Sequence, residues 1–298
     1  MRNLIRLNIR RWFNRLSTWY CLIVIAFLAA ANSVMSFMNA YIGILKFDPS
    51  FYPVWMTAAL LTVCAAVLLS RRDTDPVRNT VIAGYSKAQL LLAELPPALL
   101  FACAAALLML LPMLRGIEVL RRFPVFYLLL GAVSIILLFC AAAVLTAVLS
   151  VNMTNRSLLI CIIAGYLAGG VITATALSSS LMQVKSYPEF KIVRNEKDGN
   201  HLVPDGEQLN PEYIAPPDRT RVEILCLLLP QTAVPATFLY LDASILPANE
   251  HEIILLESRK WIRSQCEMLL RMLPACQLGM LLLFTALGLL RFRNTDMN

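Results

Sequence analysis

The sequence predicts an all-helical polytopic membrane protein with about six transmembrane helices, and three observations predict it. Of 298 residues, 58% are hydrophobic and only 15% charged, where a soluble chain carries about 25% charged residues. The apolar residues fall in long uncharged runs, each near the ~20 residues that a bilayer requires. The basic residues collect at the ends of those runs. They account for the net charge of +7 and read as topology signals, with no reason to expect a nucleic-acid partner. Backbone groups inside lipid must be satisfied internally, so the runs are expected to be helices.

Residues 1–18 form a cytoplasmic amphipathic segment carrying Arg2, Arg6, Arg10, Arg11 and Arg15. The first span runs from Trp19 to Ile42, within a membrane unit covering 19–177. It lacks the small-residue cleavage site of a signal peptide and so stays in the chain. The second span runs from Phe51 to Leu69. The charged run Arg71-Arg72-Asp73-Thr74-Asp75 comes next, and then a short helix at 75–84. Asp75 suits the N-cap and Pro76 the first helical position. Val77, Val81 and Ile82 supply a small apolar face, and Gly84 suits the end. Ser86 and Gln89 make an S-x-x-Q capping box that opens the third span, Ala88 to Leu111. From spacing alone, this short helix is either a device for passing force to a partner or an ordinary interfacial helix.

The fourth span runs from Phe123 to Leu149 and the fifth from Leu158 to Leu177. An extracytoplasmic domain then covers 178–271. Its first part, about 182–218, is rich in Pro, Asn, Lys, Glu and Gly and reads as loop. Asp218 is expected to cap a helix ending near Leu229, whose apolar run suits a membrane surface. A longer helix from Ala248 through Trp261 leads toward the sixth span at 272–290, and 291–298 form a cytoplasmic tail. With six spans, the arginine-rich loops all fall on one side, so the positive-inside rule puts both termini in the cytoplasm.

Polar residues inside spans are the usual functional clues. Glu94 precedes Pro96-Pro97 in the third span, a combination that is either a pivot or a plain helix bend. Gly165 and Gly169 form a GxxxG pattern suited to close helix approach. Trp261 reads as an interfacial anchor. The eight cysteines contain no CxxC pair; Cys226 and Cys266 are the two in polar surroundings. His201 and His251 lack partners at metal-ligand spacing. No H-E-x-x-H, E-E-x-x-x-R or intramembrane histidine suggests an enzyme, and no phosphate loop is present, so any ATP must be hydrolysed by a separate subunit.

The segment Arg78-Asn79-Thr80-Val81-Ile82-Ala83-Gly84-Tyr85-Ser86-Lys87 resembles the "RNKIIAGHSR" segment of type-two ABC transporter permeases, the small bacterial permeases of the bacitracin and lantibiotic self-protection kind. Asn210-Pro211-Glu212-Tyr213-Ile214, Arg219, Arg221-Val222 and Leu229-Pro230-Gln231 are similar to the family's "NPNYISG", "R.V" and "LPTGQ" elements before its last span. The ending Leu290-Arg291-Phe292-Arg293-Asn294-Thr295-Asp296 is similar to its "FKKKD" tail. Tyr85 stands for the family's usual histidine, and Pro216-Pro217 for its Ser-Gly. The resemblance implies a permease of the bacterial plasma membrane that exports a lipophilic or peptide compound, with a role in antimicrobial resistance. It implies an ABC ATPase partner that binds the ATP and Mg, and a second permease copy or homologue. Arg78, Asn79, Val81, Ile82, Gly84, Ser86 and Lys87 would form the ATPase-coupling surface, and Glu94, Pro96 and Pro97 a candidate pivot. A membrane sensor or scaffold without transport activity is the other class the sequence leaves open.

Overall fold

The apolar runs fold as helices because a chain in hydrocarbon has no water to satisfy its backbone. The computed structural model describes residues 1–42, 52–70, 86–114, 125–152, 155–195, 199–244 and 253–295. Six helices among them are long and apolar enough to cross a membrane. Numbered in chain order, these are α2 (Leu16–Ile42), α3 (Tyr52–Ser70), α4 (Lys87–Leu114), α5 (Val125–Asn152), α6 (Arg156–Met182) and α9 (Ile253–Thr295). A short helix α1 (Arg2–Phe13) precedes them. Between α6 and α9 come strands β1 (Ser186–Asn195) and β2 (Gly199–Leu209), helix α7 (Asp218–Leu228), a single 3-10 turn (Pro230–Thr232) and helix α8 (Ala233–Ser244).

The expected span boundaries agree with the helices to within a few residues, except at α9. That helix has 43 residues, about 65 Å at 1.5 Å per residue, roughly twice the hydrocarbon thickness. It therefore joins the end of the region before the last span to the span itself, and the expected boundary at 271/272 falls inside one continuous helix. Pro274 lies within it. The main core sits where α3, α4 and α5 meet, around Tyr52, Met56, Leu60, Phe101, Met109 and Phe139. Tyr52 contributes more than bulk there, because its hydroxyl donates to the Met109 carbonyl of α4.

Two features correct the expectation for the region after α6. The stretch read as loop contains an antiparallel hairpin, with Ser186 paired to Leu209 at one end and Asn195 to Gly199 at the other. Prolines and charges argue against strands, yet Pro188 and Pro204 fall on a two-stranded ribbon, where every strand is an edge and a missing donor is tolerated. A register shift between Glu189 and Phe190 absorbs the irregularity. The helix expected to be capped by Asp218 has Pro217 at its cap position instead, with Asp218 in the first turn and bonded to Arg221.

The second correction is α8, which the sequence does not announce. Helices α7 and α8 meet at a 94° bend across the Pro230 turn. Along α8, Val234, Ala236, Thr237, Phe238, Tyr240 and Leu241 are all buried. Phe238 packs on Tyr52 of α3 with ring centroids 3.9 Å apart, and Tyr240 on Tyr127 of α5 at 5.6 Å. This bent pair dips into the bundle, or counts as a broken seventh span. Glycine makes the approach feasible at one contact: a methyl group on Gly131 of α5 would lie 2.7 Å from Thr237 Oγ1.

Candidate functional site

Two places gather the residues that the sequence singled out, one at each end of the bundle. The first is built around the segment joining α3 to α4. Helix α1 buries Leu4, Asn8 and Trp12, spaced four apart on one stripe. Trp12 reaches Phe101 of α4, with ring centroids 6.0 Å apart. Two residues beyond α1, Arg15 turns back and donates through Nη1 to the carbonyls of Leu69, at 3.2 Å, and Ser70, at 2.5 Å. Those carbonyls close α3, where a helix lacks internal donors and its dipole favours a cation. The start of α4 is fixed by its own side chains. Ser86 N–H donates to Gln89 Oε1 at 3.0 Å, and Gln89 N–H to Ser86 Oγ at 3.2 Å, the reciprocal capping box expected from the sequence.

Both anchors of the connecting segment are therefore held: Ser70 by Arg15, Ser86 by its box. Arg78, Asn79, Val81, Ile82 and Gly84, with the expected helix at 75–84, lie outside the described residues. Ser86 and Lys87 lie at the mouth of α4. Glu94 is half-buried two turns further in, and α4 continues unbroken from Lys87 to Leu114 through Pro96 and Pro97. Pro96 and Pro97 sit within α4, past its junction end.

The second place is a ladder linking α6, α7 and α9. On its upper rung Arg219 is buried and donates through Nη2 to Leu181 O of α6 at 2.9 Å and to Gln265 Oε1 of α9 at 2.8 Å. Its Nε lies 3.4 Å from Glu223. The guanidinium sits between the rings of Tyr213 and Trp261, 5.8 and 5.0 Å from their centroids. Trp261, expected to anchor at a membrane interface, thus packs on this arginine. Just beside the rung Asn210 donates to Gln183 Oε1 and Val184 O, and accepts from Glu212 N–H, closing the base of the hairpin.

The lower rung lies at the Pro230 turn. Gln277 of α9 donates to Pro230 O at 2.8 Å, and Gln231 donates to Tyr166 O of α6 at 3.4 Å. Both glutamines are fully buried. Gly170 of α6 provides the clearance, because a methyl there would sit 2.6 Å from the Gln231 carboxamide. Counting 1.5 Å per residue, the rungs are about 22 Å apart along α6, from Leu181 to Tyr166, and about 18 Å along α9, from Gln265 to Gln277. In chain order α6 runs from the lower rung to the upper, and α9 from the upper to the lower. Asn210, Tyr213, Arg219, Pro230 and Gln231, dispersed in the sequence, are all members of this one assembly.

Beside the ladder, between α3 and the far face of α6, runs a lateral groove of about 730 Å³ lined by Pro53, Val54, Thr57, Leu61, Val171, Ile172, Thr175 and Ser179, among others. Thr57 and Thr175 donate to carbonyls of their own helices, Pro53 and Val171, at 2.8 Å. Their O–H donors are thereby engaged, and the groove surface is mostly apolar. Methyl groups on Gly165 and Gly169 would meet open space, so the GxxxG face is not used within the chain among the described residues. Cys226 and Cys266, read from the sequence as lying in polar surroundings, are instead buried in an apolar cluster with Leu181, Tyr240 and Leu269, and are unbridged. Among the described residues no cluster of His, Cys, Asp and Glu could hold a metal. No family model matches the chain, and no curated protein or solved structure is similar to it.

Proposed function

We propose that this chain is the membrane-spanning permease subunit of an ATP-driven exporter of the type-two ABC kind, energised by a separate ATPase subunit. The observation that carries the reading is the segment Arg78–Lys87, which resembles the coupling segment of those permeases and leads into the capped start of α4. Ser70 is held by Arg15 and Ser86 by Gln89. Helix α4 continues into the main core through Phe101 and Met109, so a displacement at its start reaches the centre of the bundle.

The cargo in this reading is a lipophilic or peptide compound, and the groove between α3 and α6, with its hydroxyl donors engaged, suits an apolar one. Both termini are cytoplasmic in this assignment, in a bacterial plasma membrane. A second permease copy or homologue completes the transporter, with the open Gly165 and Gly169 face available for close helix approach.

Co-expression with a neighbouring ATPase, followed by purification through the permease, tests the proposal. A stable complex is expected from the native chain and its loss from Val81→Asp, which places a charge on the apolar face of the segment. A complex that survives the substitution moves the coupling surface elsewhere. Failure to recover any ATPase favours a membrane sensor or scaffold.

A further inference from the structure

The five arginines before α2 do different work. Arg15 closes α3, and Arg11 is half-buried against the bundle. Arg2, Arg6 and Arg10 are exposed, succeed one another at intervals of four, and so form a single stripe along α1. Leu4, Asn8 and Trp12, the buried stripe, lie two residues out of phase, on the opposite face. The three exposed arginines make no ion pair or hydrogen bond among the described residues. Nor does the sequence as far as α2 offer one, since the first acidic residue of the chain is Asp48.

Helix α2 fixes the level of this stripe. Only Asn14 and Arg15 separate α1 from α2, an apolar helix long enough to span. Trp19 and Tyr20, in the first turn of α2, are exposed, and Trp19 Nε1 donates back to Phe13 O at 2.7 Å. Aromatic side chains with a polar edge at the start of a span mark the headgroup layer. A helix tied to that layer by two residues and turning three exposed arginines away from the bundle faces phosphate.

We infer that the Arg2/Arg6/Arg10 stripe of α1 binds the headgroups of anionic phospholipids, locking α1 across the end of the bundle. The charge complement decides the occupant: zwitterionic headgroups offer no net attraction, whereas anionic ones attract each arginine near the surface roughly fivefold. This is independent of the exporter reading, because it needs neither an ATPase nor a cargo.

The test is native mass spectrometry of the full chain in detergent, titrated with dioleoyl phosphatidylglycerol or dioleoyl phosphatidylcholine. The native chain is expected to prefer phosphatidylglycerol. The triple change Arg2→Gln, Arg6→Gln, Arg10→Gln should weaken that preference by roughly 100-fold, whereas the triple change to Lys should keep it, since the attraction is to charge. Raising salt from low to about 0.5 M should erase the native preference. Equal binding of the two lipids, or a preference unmoved by the glutamine changes, overturns the inference. So does a glutamine triple that retains the lipid preference but loses a co-purifying acidic protein, which would reassign the stripe to that protein. If the glutamine triple does not purify, the lysine triple decides by its salt series: a preference that persists at about 0.5 M salt is not electrostatic and overturns the inference equally.

Discussion

Arg219 donates through Nη2 to the main-chain oxygen of Leu181, 2.9 Å away, and ties the start of α7 to the end of α6 across 38 residues. The same nitrogen reaches Gln265 of α9, so one side chain sets the separation of three helices. A neutral partner could satisfy one of these acceptors. A guanidinium satisfies both while its Nε faces Glu223, and its plane rests between Tyr213 and Trp261. That combination of fork geometry and stacking is what lysine lacks.

Arg219→Gln is therefore expected to destabilise the protein by about 2–3 kcal/mol, the cost of breaking charge-assisted hydrogen bonds and leaving Leu181 O and Gln265 without their donor. Arg219→Lys should lose nearly as much. Thermal unfolding in detergent, followed by loss of the monodisperse peak in size exclusion, measures both. A lysine variant as stable as the native chain would show that charge alone holds the upper rung.

At the lower rung the fit is steric. A methyl on Gly170 would lie 2.6 Å from Cδ and Nε2 of Gln231, whose side chain is fully buried and cannot swing into solvent. Gly170→Ala is expected to cost about 1–3 kcal/mol, the range for overpacking a filled core, by forcing the carboxamide off Tyr166 O. Adding Gln231→Ala should return part of the loss, since the crowding atoms are gone. The double-mutant cycle on melting temperature reports the coupling. Strict additivity of the two changes would mean that Gly170 and Gln231 do not meet. Gly165→Ala, which points into open space, serves as the neutral comparison.

The legible parts of this fold are those written by local rules. Spans follow from the length of apolar runs, and the Ser86–Gln89 box from side chains three apart. The hairpin is hidden because Pro188 and Pro204 are strand breakers anywhere except on an edge, and a two-stranded ribbon is all edge. Helix α8 is hidden for a different reason. Its 12 residues are too few for a span, Pro235 interrupts the pattern, and burial against Tyr52, Gly131 and Tyr127 is a tertiary event with no periodic trace. The ladder is half legible: Asn210, Tyr213, Arg219, Pro230 and Gln231 stand out as a group. Their partners Leu181, Tyr166 and Gly170 offer no signal, because main-chain oxygens and a notch for a carboxamide carry no side-chain signature. Gln277, a polar residue in the apolar half of α9, is one available hint.

The anchoring of α3 by Arg15 can be tested without any partner. Arg15 Nη1 meets the carbonyls of Leu69 and Ser70, at the C-terminal end of α3. A cation at that end also interacts favourably with the negative end of the helix dipole. Arg15→Gln removes the charge and shortens the reach, so the final turn of α3 should fray at a local cost of about 1–2 kcal/mol. Hydrogen exchange reads this directly. Amides of Val67 to Ser70 should exchange about 5- to 30-fold faster, while those near Leu60, inside the main core, should keep their protection. Acceleration spread evenly along α3 would point to general loosening of the bundle and not to a lost cap. Unchanged exchange at Ser70 would show that α3 ends firmly without Arg15, and the connecting segment would then have only its Ser86 end fixed.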